Sequence, residues 1–280
     1  MSGKGCALGE AGAGKENFGQ MDFDVRLIVS DLDDTLIRRD KSISPYTQKV
    51  FAECAHRGIR TGFATARLLA ATQREQEILR PDFRIVSGGA MAMAGKEVLF
   101  FRGMGKEETS DFLRTLQRKG AEGLLAGCRE RMYTNSRRFE HSPRLHTALI
   151  RDFEKPLEDE ACQVFFRLGS EEEVCALKEL FPFFDFLRYR DGTYAVTAKG
   201  VSKADALLAV AQRYGISLAQ TAAFGDDEGD CEMLALCGVG TAVENALPCV
   251  KRAARFVAGS NEEDGVARFV ERYILKKCYG

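Results

Sequence analysis

The chain has 280 residues, enough for one or two domains with a real core. Its 40 Lys and Arg nearly cancel 41 Asp and Glu, for a formal net charge of -1. That balance supplies no basic face for nucleic acid, and no apolar run approaches the ~20 residues of a membrane helix. The first residues lack the apolar segment of a signal peptide, so a cytoplasmic location is expected. The nine cysteines are odd in number, scattered and never spaced as C-x-x-C. They read as reduced thiols, with neither a disulfide framework nor structural zinc. His56, His141 and His146 fall in no motif and read as ordinary surface or core residues.

Residues 1–21 are rich in Gly and Ala, lack a hydrophobic period and read as a disordered leader. Within them, Gly9-Glu10-Ala11-Gly12-Ala13-Gly14-Lys15 mimics a phosphate-binding P-loop. Glu16 stands where Ser or Thr should hold magnesium, and no strand precedes the glycines, so the match is discounted.

Organised sequence opens at Val25-Arg26-Leu27-Ile28-Val29-Ser30, a short apolar run expected to be a buried parallel strand. Ser44-Pro45 supplies an N-cap and first-turn proline for a helix to about Arg57, stopped by Gly58. A strand over 59–64, a helix over 68–79 ending before Pro81, and a strand over 83–86 follow. This alternation predicts an α/β domain with a parallel sheet. Strands are then expected over 97–102, 123–133, 162–168 and 186–197, with helices near 106–119 and 171–180. Fewer helices than strands implies an α+β insert with a largely antiparallel sheet. From Ser202 the α/β pattern returns, with a helix to Tyr214, a strand over 221–224, a helix around 232–236 and a strand near 238–243. The predicted fold class is α/β: a Rossmann-like parallel-sheet core over 22–88 and 191–280, interrupted by an α+β cap over 89–190.

Ser30-Asp31-Leu32-Asp33-Asp34-Thr35-Leu36 follows directly on the first strand, and ligands of open α/β sheets bind beyond the strands' carboxyl ends. While the chain stays extended, Asp31 and Asp33 lean to one side. Such carboxylates repel unless a cation lies between them or one holds a proton; a solvated, turn-rich acidic loop is the plainer alternative. A second acidic cluster, Phe224-Gly225-Asp226-Asp227-Glu228-Gly229-Asp230, follows another strand and should reach the same edge. An oxygen-only ligand set with room for water and phosphate suits magnesium better than zinc. Thr65 ends the second strand and can hydrogen-bond a phosphoryl oxygen; Lys203 opens a later helix and can neutralise charge.

These residues, in this order, resemble the haloacid dehalogenase superfamily, and within it the Cof-type sugar-phosphatase branch. Asp31-Leu32-Asp33-Asp34-Thr35-Leu36 matches the opening D-x-D-x-T-L signature. Ala64-Thr65-Ala66-Arg67 resembles the second motif, A-T-G-R, with Ala66 for glycine. Gly200-Val201-Ser202-Lys203 resembles the third, and Gly225-Asp226 through Asp230 the fourth, G-D-x-x-N-D, with Gly229 for Asn. Gly88 stands before Gly89-Ala90 where the branch often carries Asn. Asn245-Ala246 and Glu263-Asp264-Gly265-Val266-Ala267 resemble its tail segments.

The resemblance implies a Mg2+-dependent phosphatase acting on a small phosphorylated metabolite, with sugar phosphates favoured, through an aspartyl-phosphate. Asp31 would be the nucleophile and Asp33 the general acid, then base. Thr65, Ala66 and Lys203 would hold the phosphate. The Asp31 carboxylate, the Asp33 backbone carbonyl and Asp226 would hold Mg2+, with Asp230 a supporting ligand or a partner orienting Lys203. A phosphoryl-transfer mutase and a catalytically weakened binding or regulatory scaffold are the alternatives. A carbon–halogen hydrolase is disfavoured, because halide leaves without a proton. Cys231 reads as a small buried thiol, Phe181-Pro182-Phe183-Phe184 as cap core, and Arg137, Arg138 and Arg188 as a solvated face that can also greet substrate. No motif in the insert names a substrate or an oligomeric state.

Overall fold

The computed structural model describes residues 23–129, 131–136, 148–189 and 191–276. The glycine-rich leader, His141, His146, Arg137 and Arg138 lie outside the described residues.

The chain begins as expected. Strand β1 (Leu27–Ser30) leads to helix α1 (Pro45–His56), where Ser44 caps the first turn by accepting from the Thr47 N–H. Strand β2 (Arg60–Ala64), helix α2 (Gln73–Leu79) and strand β3 (Phe83–Val86) follow. A 3-10 turn, Leu69–Thr72, precedes α2, so the stretch expected as one helix is two pieces. Strands β4 (Met91–Ala94) and β5 (Glu97–Phe101) then form a hairpin.

The next elements are α3 (Lys106–Arg118), β6 (Glu122–Cys128), β7 (Met132–Thr134), β8 (Ala148–Ile150) and β9 (Ala161–Arg167). They continue through α4 (Glu171–Leu180), β10 (Phe184–Arg188) and β11 (Tyr194–Ala198). The chain closes with α5 (Lys203–Tyr214), β12 (Thr221–Gly225), α6 (Cys231–Leu236), β13 (Val239–Ala242), α7 (Pro248–Ala253), β14 (Phe256–Val257) and α8 (Gly265–Phe269).

Two sheets result. The larger has the order β14-β13-β12-β1-β2-β3-β4-β5 and is parallel from β14 to β3. Buried apolar residues fill β1 and β3, as a sheet covered on both faces requires. The smaller has the order β10-β11-β9-β6-β7-β8 and is antiparallel except between β7 and β8. One face of it packs under α3 and α4 around Phe112, Phe166, Val164 and Val196.

The expected boundaries at 89 and 191 need correction. Hairpin β4–β5 pairs antiparallel with β3 and extends the large sheet, so strand 97–101 belongs to the core rather than to the cap. Strand β11 pairs with β9 and belongs to the small sheet. The second layer therefore runs from about α3 to β11. Two expected single strands are hairpins, β6–β7 and β10–β11, because residues between them turn back and pair.

Phe181 and Phe184 are buried in the cap core, whereas Phe183 is exposed. Cys231 is half-buried, and burial, with the nearby Cys249 thiol, raises its pKa. No helix among the described residues is long and apolar enough to cross a membrane.

Candidate active site

The carboxyl ends of β1, β2 and β12 lie side by side, because β1 pairs with both neighbours in parallel. Each strand therefore delivers its next residues to one edge. Asp31 follows β1, and its N–H donates to the Phe224 carbonyl of β12 at 2.9 Å. Thr65 follows β2 and donates its N–H to the Ile85 carbonyl of β3, also at 2.9 Å. The loops after β2 and β3 are pinned together by Ser87 N–H to Arg67 carbonyl and Gly88 N–H to Thr65 carbonyl, at 2.8 and 3.0 Å. Ala66 occupies the bend between Thr65 and Arg67.

Lys203 arrives from the other side of the chain. Ser202 caps α5 by accepting the Asp205 N–H at 3.1 Å, which makes Lys203 the first helical residue. An ammonium at a helix N-terminus opposes the helix dipole, so it needs anionic partners. It has two: Nζ donates to Asp31 Oδ1 at 2.7 Å and to Asp230 Oδ1 at 2.6 Å. Gly89 explains how β3 and α5 come so close. At φ +108° it presses on the Ser202 carbonyl, where any Cβ would overlap.

Asp230 is fully buried and accepts three hydrogen bonds. While Oδ1 holds Lys203, Oδ2 accepts the N–H groups of Asp226 and Asp227 at 3.0 and 3.2 Å. It thus ties the turn after β12 to α5. Asp226 accepts from Thr35 Oγ1 at 2.6 Å, linking that turn to the loop after β1. Carboxylate oxygens of Asp31, Asp226 and Asp230 lie within 4.8 Å of one another.

Three carboxylates share one lysine, and the imbalance shows. Burial raises the Asp31 pKa well above the usual carboxylate range; Lys203 pulls it down, while Asp230 and Asp226 add to the rise. Burial likewise pushes Asp226 up to about 7, against the pull of Thr35 and with help from Asp230. Burial disfavours the charged Lys203, but Asp230 and Asp31 more than offset it and raise its pKa. The donor set is oxygen-only and has excess negative charge. It fits a hard divalent cation, with Asp31 and Asp226 better placed to ligate than Asp230, most of whose acceptor capacity is taken.

Asp33 turns elsewhere. Its two oxygens accept a fork from Arg67, Nε and Nη2 each at 2.6 Å, and Lys41 Nζ approaches at 3.2 Å. Arg67 is itself braced by the buried Glu75 at 2.9 Å. Burial pushes the Asp33 carboxyl up, but Arg67 and Lys41 win and hold it below its ordinary value. With its carboxylate so engaged, Asp33 would offer a cation beside Asp31 its backbone carbonyl rather than its side chain. Arg67, Glu75, Lys41 and Thr35 are site residues to which the sequence assigned no role. Arg67 was within reach, as the last residue of the Ala64-Thr65-Ala66-Arg67 motif.

A Rossmann-like sheet with four acidic or cationic loops converging on one edge, overlain by an inserted sheet, defines a class of hydrolases. A family model of haloacid dehalogenase-like hydrolases matches residues 28–270, and the chain belongs to that family. Its curated relatives include the 5-amino-6-(5-phospho-D-ribitylamino)uracil phosphatase YcsE of Bacillus subtilis, 26% identical over 255 residues covering 91% of this chain and 98% of YcsE. They also include the B. subtilis stress response protein YhaX, 24% identical over 89% of this chain and 93% of its own. Among solved structures, a haloacid dehalogenase-like hydrolase from Bacteroides thetaiotaomicron superposes with TM-score 0.79 at 22% identity, covering 89% of this chain and 99% of the other. A sugar phosphatase of HAD subclass IIB superposes with TM-score 0.76 at 23% identity, covering 90% and 100%.

Proposed function

We propose that this hydrolase is a Mg2+-dependent phosphatase that cleaves the phosphomonoester of a small metabolite through an aspartyl-phosphate on Asp31. The observation that carries the reading is the buried Asp31 carboxylate, with one oxygen on Lys203 and neighbours Asp226 and Asp230 at the same sheet edge. Lys203 engages Oδ1, leaving Oδ2 to attack phosphorus. Covalent capture divides one difficult hydrolysis into two easier displacements.

Asp31 and Asp226, with the Asp33 backbone carbonyl, would hold Mg2+, which when bound offsets the charge between the carboxylates and the phosphate dianion. Lys203 and Thr65 stabilise the phosphoryl oxygens, a task of positioning and charge. Asp33 is ionised in its fork with Arg67, the form required to accept a proton from the water that cleaves the aspartyl-phosphate. To protonate the departing alkoxide it must first gain a proton, and an entering phosphate dianion that draws Arg67 away promotes that gain. The substrate is a phosphorylated sugar or polyol, consistent with the sugar phosphatase among the structural neighbours and the ribityl phosphate named for YcsE.

The test is phosphate release from a panel of hexose, pentose and polyol phosphates, nucleotides and 5-amino-6-(5-phospho-D-ribitylamino)uracil, with Mg2+ and with EDTA. Hydrolysis of at least one sugar or polyol phosphate only with Mg2+ is expected. Full activity in EDTA removes the metal from the proposal, and phosphoryl transfer to an added sugar instead of water makes the enzyme a mutase.

A further inference from the structure

The small sheet has one face covered by α3 and α4 and one that is not. Cross-strand partners Leu187, Ala195, Phe165 and Leu125 run across β10, β11, β9 and β6, so all four side chains share a face. It is the face opposite the buried Phe184 and the partly buried Phe186. Leu125 packs there with Met132 against Leu68, the residue directly after Arg67. This face therefore looks onto the loops that carry the carboxylates.

The ladder of β10 and β11 continues one residue beyond β10. Tyr189 N–H donates to the Thr193 carbonyl at 2.8 Å, and Gly192 N–H donates back to the Tyr189 carbonyl at 3.0 Å. Tyr189 thus keeps the side of Leu187. The hairpin end is fastened by Arg167, which donates to Thr193 Oγ1 at 2.9 Å and pairs with Asp191 at 2.5 Å. Arg188 sits on the opposite face, where it pairs with Glu171 of α4 at 3.1 Å; the arginine that the sequence offered to a substrate points away from the cleft.

Leu187 is 49% exposed, whereas Tyr189, two residues on and on the same face, is half-buried. Its phenol lies within electrostatic range of the core's charges, those of Lys203, Asp227, Asp31 and Asp33. Burial pushes the phenol up to about 12, so it remains a neutral donor throughout the working range. Its hydroxyl has no hydrogen-bond partner among the described residues. A half-buried donor on the face of the small sheet that meets the loop after β2 is a group available to a ligand.

We propose that Tyr189 is a specificity-determining residue, whose hydroxyl donates to an oxygen of the substrate's leaving group while its ring and Leu187 wall that side of the cleft. The proposal rests on the phosphatase reading above. It favours a hydroxylated, uncharged leaving group, a sugar or polyol, over one with a second phosphate. Tyr189 brings no positive charge, and the charge of Asp227, which its phenol feels, repels anions. A residue that merely packs would be served equally by phenylalanine.

The experiment compares wild type, Tyr189→Phe and Tyr189→Ala with Mg2+, on the best sugar or polyol phosphate of the panel and on p-nitrophenyl phosphate, whose leaving group has no hydroxyl to offer. Tyr189→Phe should lower kcat/KM for the sugar phosphate by about 10-fold, mainly through KM, the loss of one hydrogen bond. It should leave p-nitrophenyl phosphate turnover and Tm unchanged. Tyr189→Ala should lose more on the sugar phosphate and narrow its advantage over a sugar bisphosphate. Unchanged kinetics for Tyr189→Phe on both substrates overturns the assignment, and an equal loss on both assigns Tyr189 a structural role instead. A wild-type enzyme inert on the whole panel overturns the phosphatase reading and this proposal together, whereas an active wild type with indifferent variants overturns this proposal alone.

Discussion

Asp230 holds Lys203 and two backbone N–H groups at once, so its replacement separates architecture from chemistry. Its carboxylate accepts the Lys203 ammonium and two backbone N–H groups, all in a place closed to water. In Asp230→Asn the amide oxygen can keep the two N–H groups, but the amide nitrogen then faces an ammonium, donor against donor. The buried lysine is left with Asp31 alone. Breaking a buried ion pair by removing one partner costs about 3–5 kcal/mol. Some of that is returned, since the charge of Asp230 is one cause of the raised Asp31 and Asp226 pKa values. A net loss of about 3 kcal/mol is expected, a large share of the ~5–15 kcal/mol of a typical fold. Urea unfolding in EDTA at pH 7.5 measures it, followed through the tyrosines because the chain has no tryptophan. The folded variant should also show kcat reduced far more than KM, because Lys203 loses one of the two anchors that fix its position beside Asp31 while the cleft is intact. An unchanged midpoint together with unchanged kcat would refute the idea that Asp230 holds Lys203 in place.

Gly89→Ala should destabilise the core and slow turnover, because its Cβ would overlap the Ser202 carbonyl beside Lys203 and its φ of +108° disfavours any side chain; a fully active, equally stable variant shows that α5 does not depend on this approach. Gly229→Asn, which restores the side chain common in the family, meets nothing within 4 Å and has no positive φ, so its unfolding midpoint should stay within about 0.5 kcal/mol of wild type. With the added amide near the metal or phosphate, kcat/KM or Mg2+ affinity should rise, and a Mg2+ titration of initial rates that is slower at every concentration counts against the site alignment. The pH dependence of Mg2+ binding follows from Asp226, which without a cation keeps its proton up to about 7. A metal ion must displace that proton, so binding strengthens as pH rises through about 7. The Mg2+-induced rise in Tm should therefore be larger at pH 8 than at pH 6, and equal shifts would remove Asp226 from the ligand set.

Much of this protein could be read from local sequence. A short apolar run such as Leu27–Ser30, alternating with helices, suits a strand inside a parallel sheet, and an acidic loop directly after such a strand emerges at the sheet's carboxyl edge. Two such acidic loops, with the Thr65 and Lys203 motifs between them in family order, were enough to single out Asp31, Asp226, Asp230 and Lys203 as candidates. The alternation of strands and helices likewise predicted two layers of different kinds, and both are present. Local pattern could not place the β4–β5 hairpin, because the Met91–Ala94 and Glu97–Phe101 pattern suits the edge of either sheet. Only pairing with β3 decided it. The two hairpins over 123–133 and 186–197 did leave a local mark, the polar Arg129-Glu130-Arg131 and the turn pair Asp191-Gly192, which the reading of each as one strand passed over.

The division of labour between Asp33 and its neighbours was also hidden. Arg67 lies 34 residues from Asp33 in the chain, and their fork exists only because β1 and β2 end side by side. Tyr189 and Arg188 show the limit most clearly. Strand parity says that adjacent residues face opposite ways, but not which way leads to the cleft. That was settled by α3 and α4 covering one face of the small sheet and leaving the other turned toward the carboxylates.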